Sequence, residues 1–143
     1  MNKPDNRIVK FIKKHHVLTL ATSANNEPWC ANCFYAYLED KNCFVFTSDN
    51  DTRHAKDAVI NPSVAGSIVL ETRIVGKIQG VQFKGIMKLA DNNEMPKIKK
   101  AYIKRFPYAI FANTNLWILK IIYLKMTDNR LGFGKKLIWK AEK

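Results

Sequence analysis

Apolar positions along this chain follow two rhythms. In some stretches every second residue, or nearly every residue, is apolar; in three others apolar residues recur at helical spacing. The strand-like runs "VLTLAT" (17–22), "WCANCFYAYLE" (29–39) and "CFVFTS" (43–48) follow one another across the turn-forming "NNEP" and "DKN". "VAGSIVLE" (64–71), "IQGVQFKGIMKLA" (78–90), "LWILKIIYLKMTD" (116–128) and "LGFGKKLIW" (131–139) complete the set. Hairpin-length links between several of these runs predict an antiparallel meander or barrel rather than a parallel sheet with crossover helices. Gly80 and Gly85, inside one long run, predict a bend or bulge of the kind that closes a barrel.

The helical segments are amphipathic. Residues 5–16 put Ile8, Phe11 and Ile12 on one face. A second helix is expected from Asp51 as N-cap, turning Ala55, Ala58 and Val59 inward and stopping at Asn61-Pro62. A third follows Asn93 as cap and aligns Ile98, Ala101 and Tyr102 before Pro107. Each needs a sheet to cover. The expectation is one domain over residues 1–143: mainly β with flanking helices, an antiparallel barrel of six or seven strands.

Composition narrows the class. With 143 residues, 47% of them hydrophobic, the chain can bury a core without disulfides. No apolar run reaches the roughly 20 residues of a membrane helix, and the N-terminal segment does not read as a signal peptide. Together with an odd count of three cysteines, this predicts a cytoplasmic protein with reduced thiols and no membrane association. Lys and Arg number 24 against 12 acidic residues, a net charge of +12. Such a surface attracts nucleic acid, anionic membranes or phosphorylated ligands. The basic clusters "KIKKAYIKR" (97–105) and "KKLIWKAEK" (135–143) lack the framing of any RNA-binding motif, so nucleic acid is a partner by charge alone.

Several combinations offer chemistry. Cys30 and Cys33 form a C-x-x-C, but its strand setting points the two side chains to opposite faces, and the remaining Cys43, His15, His16 and His54 lack paired-ligand spacing. Structural thiols and no metal site are expected. His15 and His16 end the first helix, where protonated imidazole suits the negative pole of the dipole. No nucleophile elbow, phosphate-binding glycine loop or carboxylate pair is present, so a reaction here would depend on an external cofactor. The segment "FVFTSDNDTRHAKDAVINP" (44–62) stands out. Thr47 and Ser48 end a strand, and Thr52, Arg53 and His54 open a helix. Hydroxyls, helix-terminal N–H groups, a guanidinium and an imidazole together suit a phosphate monoester. Local neutralisation of Arg53 by Asp49 and Asp51 is the equally weighted alternative.

The order of elements, and "FVFTSDNDTRHAKDAVINPSVAGSI" above all, resembles the pyridoxamine 5'-phosphate oxidase-like flavin split-barrel superfamily, and is most like its short, functionally uncharacterised YhbP-like branch. In that superfamily a strand, a Ser-Arg-Lys-Ala helix start and a closing Asn-Pro hold the FMN phosphate. The resemblance places those roles on Thr52, Arg53, His54, Ala55 and Asn61-Pro62, with Thr47 and Ser48 at the strand-end positions. It puts Asn32 at a phosphate-binding arginine position, Phe34 beside the flavin ring, and Gln82 near the family's flavin-proximal glutamine, offset by two residues. His54 in place of Lys, Asn32 in place of Arg, and Asp49 and Asp51 depart from the family pattern. The substrate residues of true pyridoxamine phosphate oxidases are not recognisable, so that reaction is not expected.

Two functions follow. The first is an FMN-binding flavoprotein: a homodimeric oxidoreductase acting on a small-molecule redox substrate, with the ring in a cleft between subunits lined by Phe34 or Trp29. No catalytic residue is assigned. The second is a non-enzymatic basic split-barrel module that binds nucleic acid or another anionic partner.

Overall fold

The computed structural model describes residues 2–111 and 115–143. Helix α1 (Asn6–Lys14) is capped by Asp5, whose carboxylate accepts from the Arg7 N–H at 2.8 Å, and buries Ile8, Val9, Phe11 and Ile12. Strands β1 (Val17–Ala24) and β2 (Glu27–Leu38) form a hairpin. Its two-residue turn places Asn25 and Asn26 at positive φ, a conformation asparagine tolerates better than most residues. β3 (Cys43–Thr47) leads to α2 (Arg53–Ile60). β4 (Ser63–Val69), β5 (Gln79–Leu89), α3 (Met95–Arg105), β6 (Leu116–Asp128) and β7 (Lys136–Lys140) follow.

All strand pairings are antiparallel, in the order β3-β2-β1-β4-β5-β6-β7, and β3 also pairs with β6. That extra pairing closes six strands into a ring. β6 makes closure possible by serving three partners. One edge takes β5; the other takes β3 along Leu116–Lys120 and β7 along Tyr123–Thr127. Between those halves the register with β5 shifts at Lys84/Gly85, leaving Ile122 as the extra residue. Gly85 is required there. A Cβ would sit 2.2 Å from Leu119 Cδ2 and 2.6 Å from the Lys120 carbonyl oxygen. The ring encloses Leu18, Leu20, Tyr35, Phe44, Phe46, Phe83, Trp117 and Leu124. This is the expected antiparallel split barrel.

Several local expectations need correction. Thr52, not Asp51, caps α2, its hydroxyl accepting from Ala55 N–H at 3.3 Å. Val59 does not face inward: it is 73% exposed, while Ala55, Asp57 and Ala58 are buried. The helix is rolled to bring Asp57 onto β1, where the Thr22 hydroxyl donates to it at 2.9 Å. Asn93 does not cap α3; Asp91 and Glu94 exchange side-chain-to-backbone hydrogen bonds instead. The last strand begins at Lys136 rather than residue 131, because Gly132 and Gly134, both at positive φ, hold a turn before it.

The end of α1 does not raise the pKa of His15 as expected. Burial, and then Lys14 beside it, lower its pKa. The cation at the end of α1 is Arg105 from α3, which donates to the carbonyls of Lys13 (3.1 Å) and His15 and lies over the Tyr35 ring. A guanidinium delivered by tertiary packing fills the place that the local sequence gave to imidazole.

Candidate functional site at the start of the second helix

The pairing of β3 with β2 stops at Phe46–Tyr35. Among the described residues, β2 from Glu27 to Phe34 is therefore paired to β1 alone. The chain turns there through Ser48–Thr52 into α2, which packs against β1 and β2. Ser48 is buried in that turn, and its backbone is held at both ends. Its N–H donates to the Asn115 carbonyl at 3.0 Å, and its own carbonyl accepts from Trp117 Nε1 at 3.1 Å.

Three side chains meet at this point. Ser48 Oγ lies 2.5 Å from His54 Nε2 and 3.2 Å from Thr52 Oγ1, and Thr52 Oγ1 lies 3.3 Å from His54 Nε2. The Thr52 hydroxyl donates its proton to the Asp49 carbonyl at 2.8 Å. Ser48 and His54 Nε2 thus share a short hydrogen bond whose donor is set by which imidazole nitrogen carries the proton. Burial lowers the pKa of His54, opposed by the nearby Asp57 carboxylate. A neutral imidazole is also what the positive end of a helix favours.

Arg53 points elsewhere. Its guanidinium stacks 4.3 Å from the Trp29 ring centroid, with Nη2 3.5 Å from Glu27 and Nε 3.9 Å from Asp57. Local neutralisation of Arg53 thus occurs, but through Glu27 and Asp57 rather than Asp49 and Asp51.

Asn32, Phe34, Thr47 and Gln82 lie on the outer face of the barrel. Asn32 Oδ1 accepts from the Thr19 hydroxyl at 2.9 Å. Strand register places Asn32, Thr19, Ser67, Gln82 and Lys125 in one cross-strand row. Asn32 and Gln82, 50 residues apart, are separated by three strand spacings, about 14 Å. Gln82 borders an open groove of about 410 Å³ shared with Lys84, Tyr123 and Lys125. Phe34 is 60% exposed and meets Phe106 edge-on at 5.7 Å, while Thr47 Oγ1 lies 3.3 Å from the Tyr102 hydroxyl. Cys30 faces outward and Cys33 inward, where burial raises its pKa to about 11. Opposite faces prevent the pair from acting as a joint chelate.

Sequence reasoning missed Trp117, Thr19, Tyr102 and Phe106, which contact the site residues from β6, β1, α3 and the residue that follows α3. Nothing local signals them, since each acts across at least 13 residues.

Comparison with known proteins gives the family. No family model matches the chain. It is 37% identical over 141 residues to a UPF0306 protein of Yersinia pseudotuberculosis serotype O:1b (strain IP 31758), across 97% of this chain and 96% of that one. A UPF0306 protein of Yersinia pestis biovar Antiqua (strain Angola) matches with the same identity and coverage. The chain belongs to the UPF0306 family. Among solved structures, this UPF0306 fold is similar to a heme binding protein from Mycobacterium smegmatis, with TM-score 0.77 and 16% identity over 98% of this chain and 60% of that one. A FAD-binding protein from Mesorhizobium loti superimposes with TM-score 0.72 and 12% identity over 88% and 95% of the two chains. HutZ, a heme storage protein from Vibrio cholerae, does so with TM-score 0.69 and 16% identity over 83% and 90%. At these identities the likeness is one of fold.

Proposed function

We propose that this UPF0306 protein binds FMN and serves as a flavin-dependent oxidoreductase for a small-molecule substrate. The observation that carries the reading is the Ser48–Thr52–His54 cluster, set at the start of α2, where the pairing of β3 with β2 stops and β2 continues, paired to β1 alone, through Phe34 and Asn32. The donor chemistry fits a phosphate monoester: two hydroxyls, an imidazole able to gain a proton, and the N–H groups of a helix terminus. Thr47 ends the adjacent strand on the outer face, and Arg53 turns from Glu27 to the phosphate. Asn32, Phe34 and Gln82 mark the sheet face along which the ring system lies. The flavin, when bound, accepts and delivers the electrons; the chain binds and orients it.

The same reading includes a homodimer. Val17 and Phe34 pair across β1 and β2 and are 43% and 60% exposed, an apolar surface for a second copy to cover. Light scattering should give twice the chain mass at micromolar concentration, and a monomer would remove the two-subunit cleft from the proposal.

The cofactor test is direct. Protein incubated with FMN and desalted should retain about one flavin per chain, and riboflavin should bind much more weakly. Equal affinity for both would dismiss the phosphate site. A Soret band in place of flavin absorption would point to heme instead.

A second reading rests on the outer row Lys84–Tyr123–Lys140, which register places across β5, β6 and β7. Lysines framing an aromatic ring on an open sheet suit a single-stranded nucleic acid. Salt-sensitive binding of oligonucleotides, in a protein that retains no flavin, would favour it.

A further inference from the structure

A cavity lined by none of the α2 cluster residues lies against α1. It is formed where α1 packs on the start of β5, the end of β6 and the turn after it, and has a volume of about 220 Å³. Four cations from two segments border it: Arg7, Lys10 and Lys14 from α1, and Arg130 from the turn. Among the described residues, the single carboxylate in the lining is Asp128. Phe11, Met126 and Leu131 supply apolar surface.

The charges are arranged, not merely numerous. Arg7, Lys10 and Lys14 recur at i, i+3 and i+7, so one side of α1 presents three like charges toward the cavity. Lys13, between them in sequence, pairs with Glu39 instead. Each arginine is held in place by its own carboxylate: Arg7 by Asp5 at 2.8 Å, and Arg130 by Asp128 at 2.9 Å. In both cases Nε and Nη2 make the fork, which leaves three of the five guanidinium N–H groups uncommitted. Asp128 is buried, and Arg130 beside it holds its pKa below the usual carboxylate range, so it stays ionised and keeps Arg130 fixed. Lys10 and Lys14 have no carboxylate partner among the described residues. Like charges at this spacing disfavour the helix slightly, and an anion between them would reverse that effect.

We propose that this cavity is a binding site for a small phosphate monoester with an apolar body. The phosphate is taken by Lys10, Lys14 and the free N–H groups of the two arginines. The apolar body rests on Phe11, Met126 and Leu131. The site shares no residue with the α2 cluster and does not depend on it.

Phenyl phosphate is the probe, with inorganic phosphate as the comparison, both followed by titration calorimetry at about 0.15 M salt. In Arg53→Ala protein, which lacks the guanidinium assigned to the α2 cluster, one phenyl phosphate should bind per chain, several-fold tighter than inorganic phosphate. Lys10→Gln/Lys14→Gln, both exposed, should weaken it at least tenfold. Lys99→Gln/Lys100→Gln, which removes the same charge from the exposed side of α3, should change it less than twofold. Circular dichroism checks that both variants fold. Equal weakening by the two pairs would reduce the site to general surface charge and overturn the proposal, as would the absence of saturable binding. Vesicles containing phosphatidic acid form the last arm. If they retain wild type but not Lys10→Gln/Lys14→Gln, and phenyl phosphate does not bind, the ligand is a lipid headgroup and the small soluble ligand is refuted. Arg53→Ala should leave phenyl phosphate binding intact, so failure of the FMN reading is separately visible.

Discussion

The hydroxyl of Ser48 and Nε2 of His54 stand 2.5 Å apart, tying the end of β3 to the first turn of α2 through a half-buried imidazole. Its consequence is a pH dependence of known sign. Burial places the folded-state pKa of His54 below the unfolded value of about 6.5. The unfolded chain therefore takes up protons first as pH falls. The stabilisation from neutral His54 is full above about pH 6.5 and is lost as pH drops through the folded pKa. Melting temperatures of wild type and His54→Gln should converge as pH is lowered from about 7.5 to 5, the range over which histidine titrates. A gap that stays constant or widens on acidification would contradict the neutral assignment.

Arg53 separates binding from stability. Its ion pair with Glu27 is exposed, so Arg53→Ala should cost no more than about 1 kcal/mol of folding stability. If Arg53 turns to the FMN phosphate, the same change should weaken FMN by about 10- to 150-fold, the worth of one hydrogen bond to a charged group. His54→Lys, which supplies a permanent cation, should improve FMN affinity relative to wild type, increasingly so at higher pH where imidazole is neutral. Dissociation constants between about pH 6 and 9 would show this, both proteins experiencing the same second ionisation of the phosphate. Unchanged FMN affinity in Arg53→Ala would leave Arg53 as a surface residue stacked on Trp29.

The three thiols should respond unequally. Cys30 is exposed, whereas burial raises Cys33 and Cys43 to about 11. A disulfide reagent at neutral pH should modify one thiol per native chain quickly, and Cys30→Ser should abolish that phase. Replacing Cys30 and Cys33 together with Ala should leave metal content and FMN affinity unchanged. Stoichiometric zinc lost on that replacement would be the contrary result.

Gly85→Ala tests the bulge. The new methyl would overlap the Leu119 side chain and the Lys120 carbonyl, and overpacking of this kind costs about 1–3 kcal/mol. Gly76→Ala, where a Cβ meets nothing within 4 Å, provides the control. Urea unfolding should find the first variant clearly destabilised and the second near wild type.

How much of this was legible in the sequence depended on how local each determinant was. Strand β6 was bounded correctly at residues 116 and 128, because a long apolar run followed by Asn-Arg states its own ends. The burial of Ile8, Phe11 and Ile12 followed from spacing alone. Val59 was misplaced because the roll of α2 is fixed by Asp57 reaching Thr22, 35 residues earlier. The charge at the end of α1 was given to His15 because Arg105 arrives from 90 residues away. At the candidate site, the meeting of Ser48, Thr52 and His54 lies within seven residues and could be anticipated. The direction of Arg53 could not, since Glu27 and Trp29 come from another strand.

The shared edge of β6 has a consequence for shortened chains. β7 occupies only the half of that edge left free by β3, so it contributes nothing to the closure of the ring. A chain ending after Gly134 would keep the six-stranded ring but bare the edge of Tyr123–Thr127 that faces β7, leaving the N–H and C=O groups on that side without strand partners. That is a template for strand addition. Such a chain should fold and then self-associate through this edge, and a peptide of residues 135–143 added in trans should suppress the association.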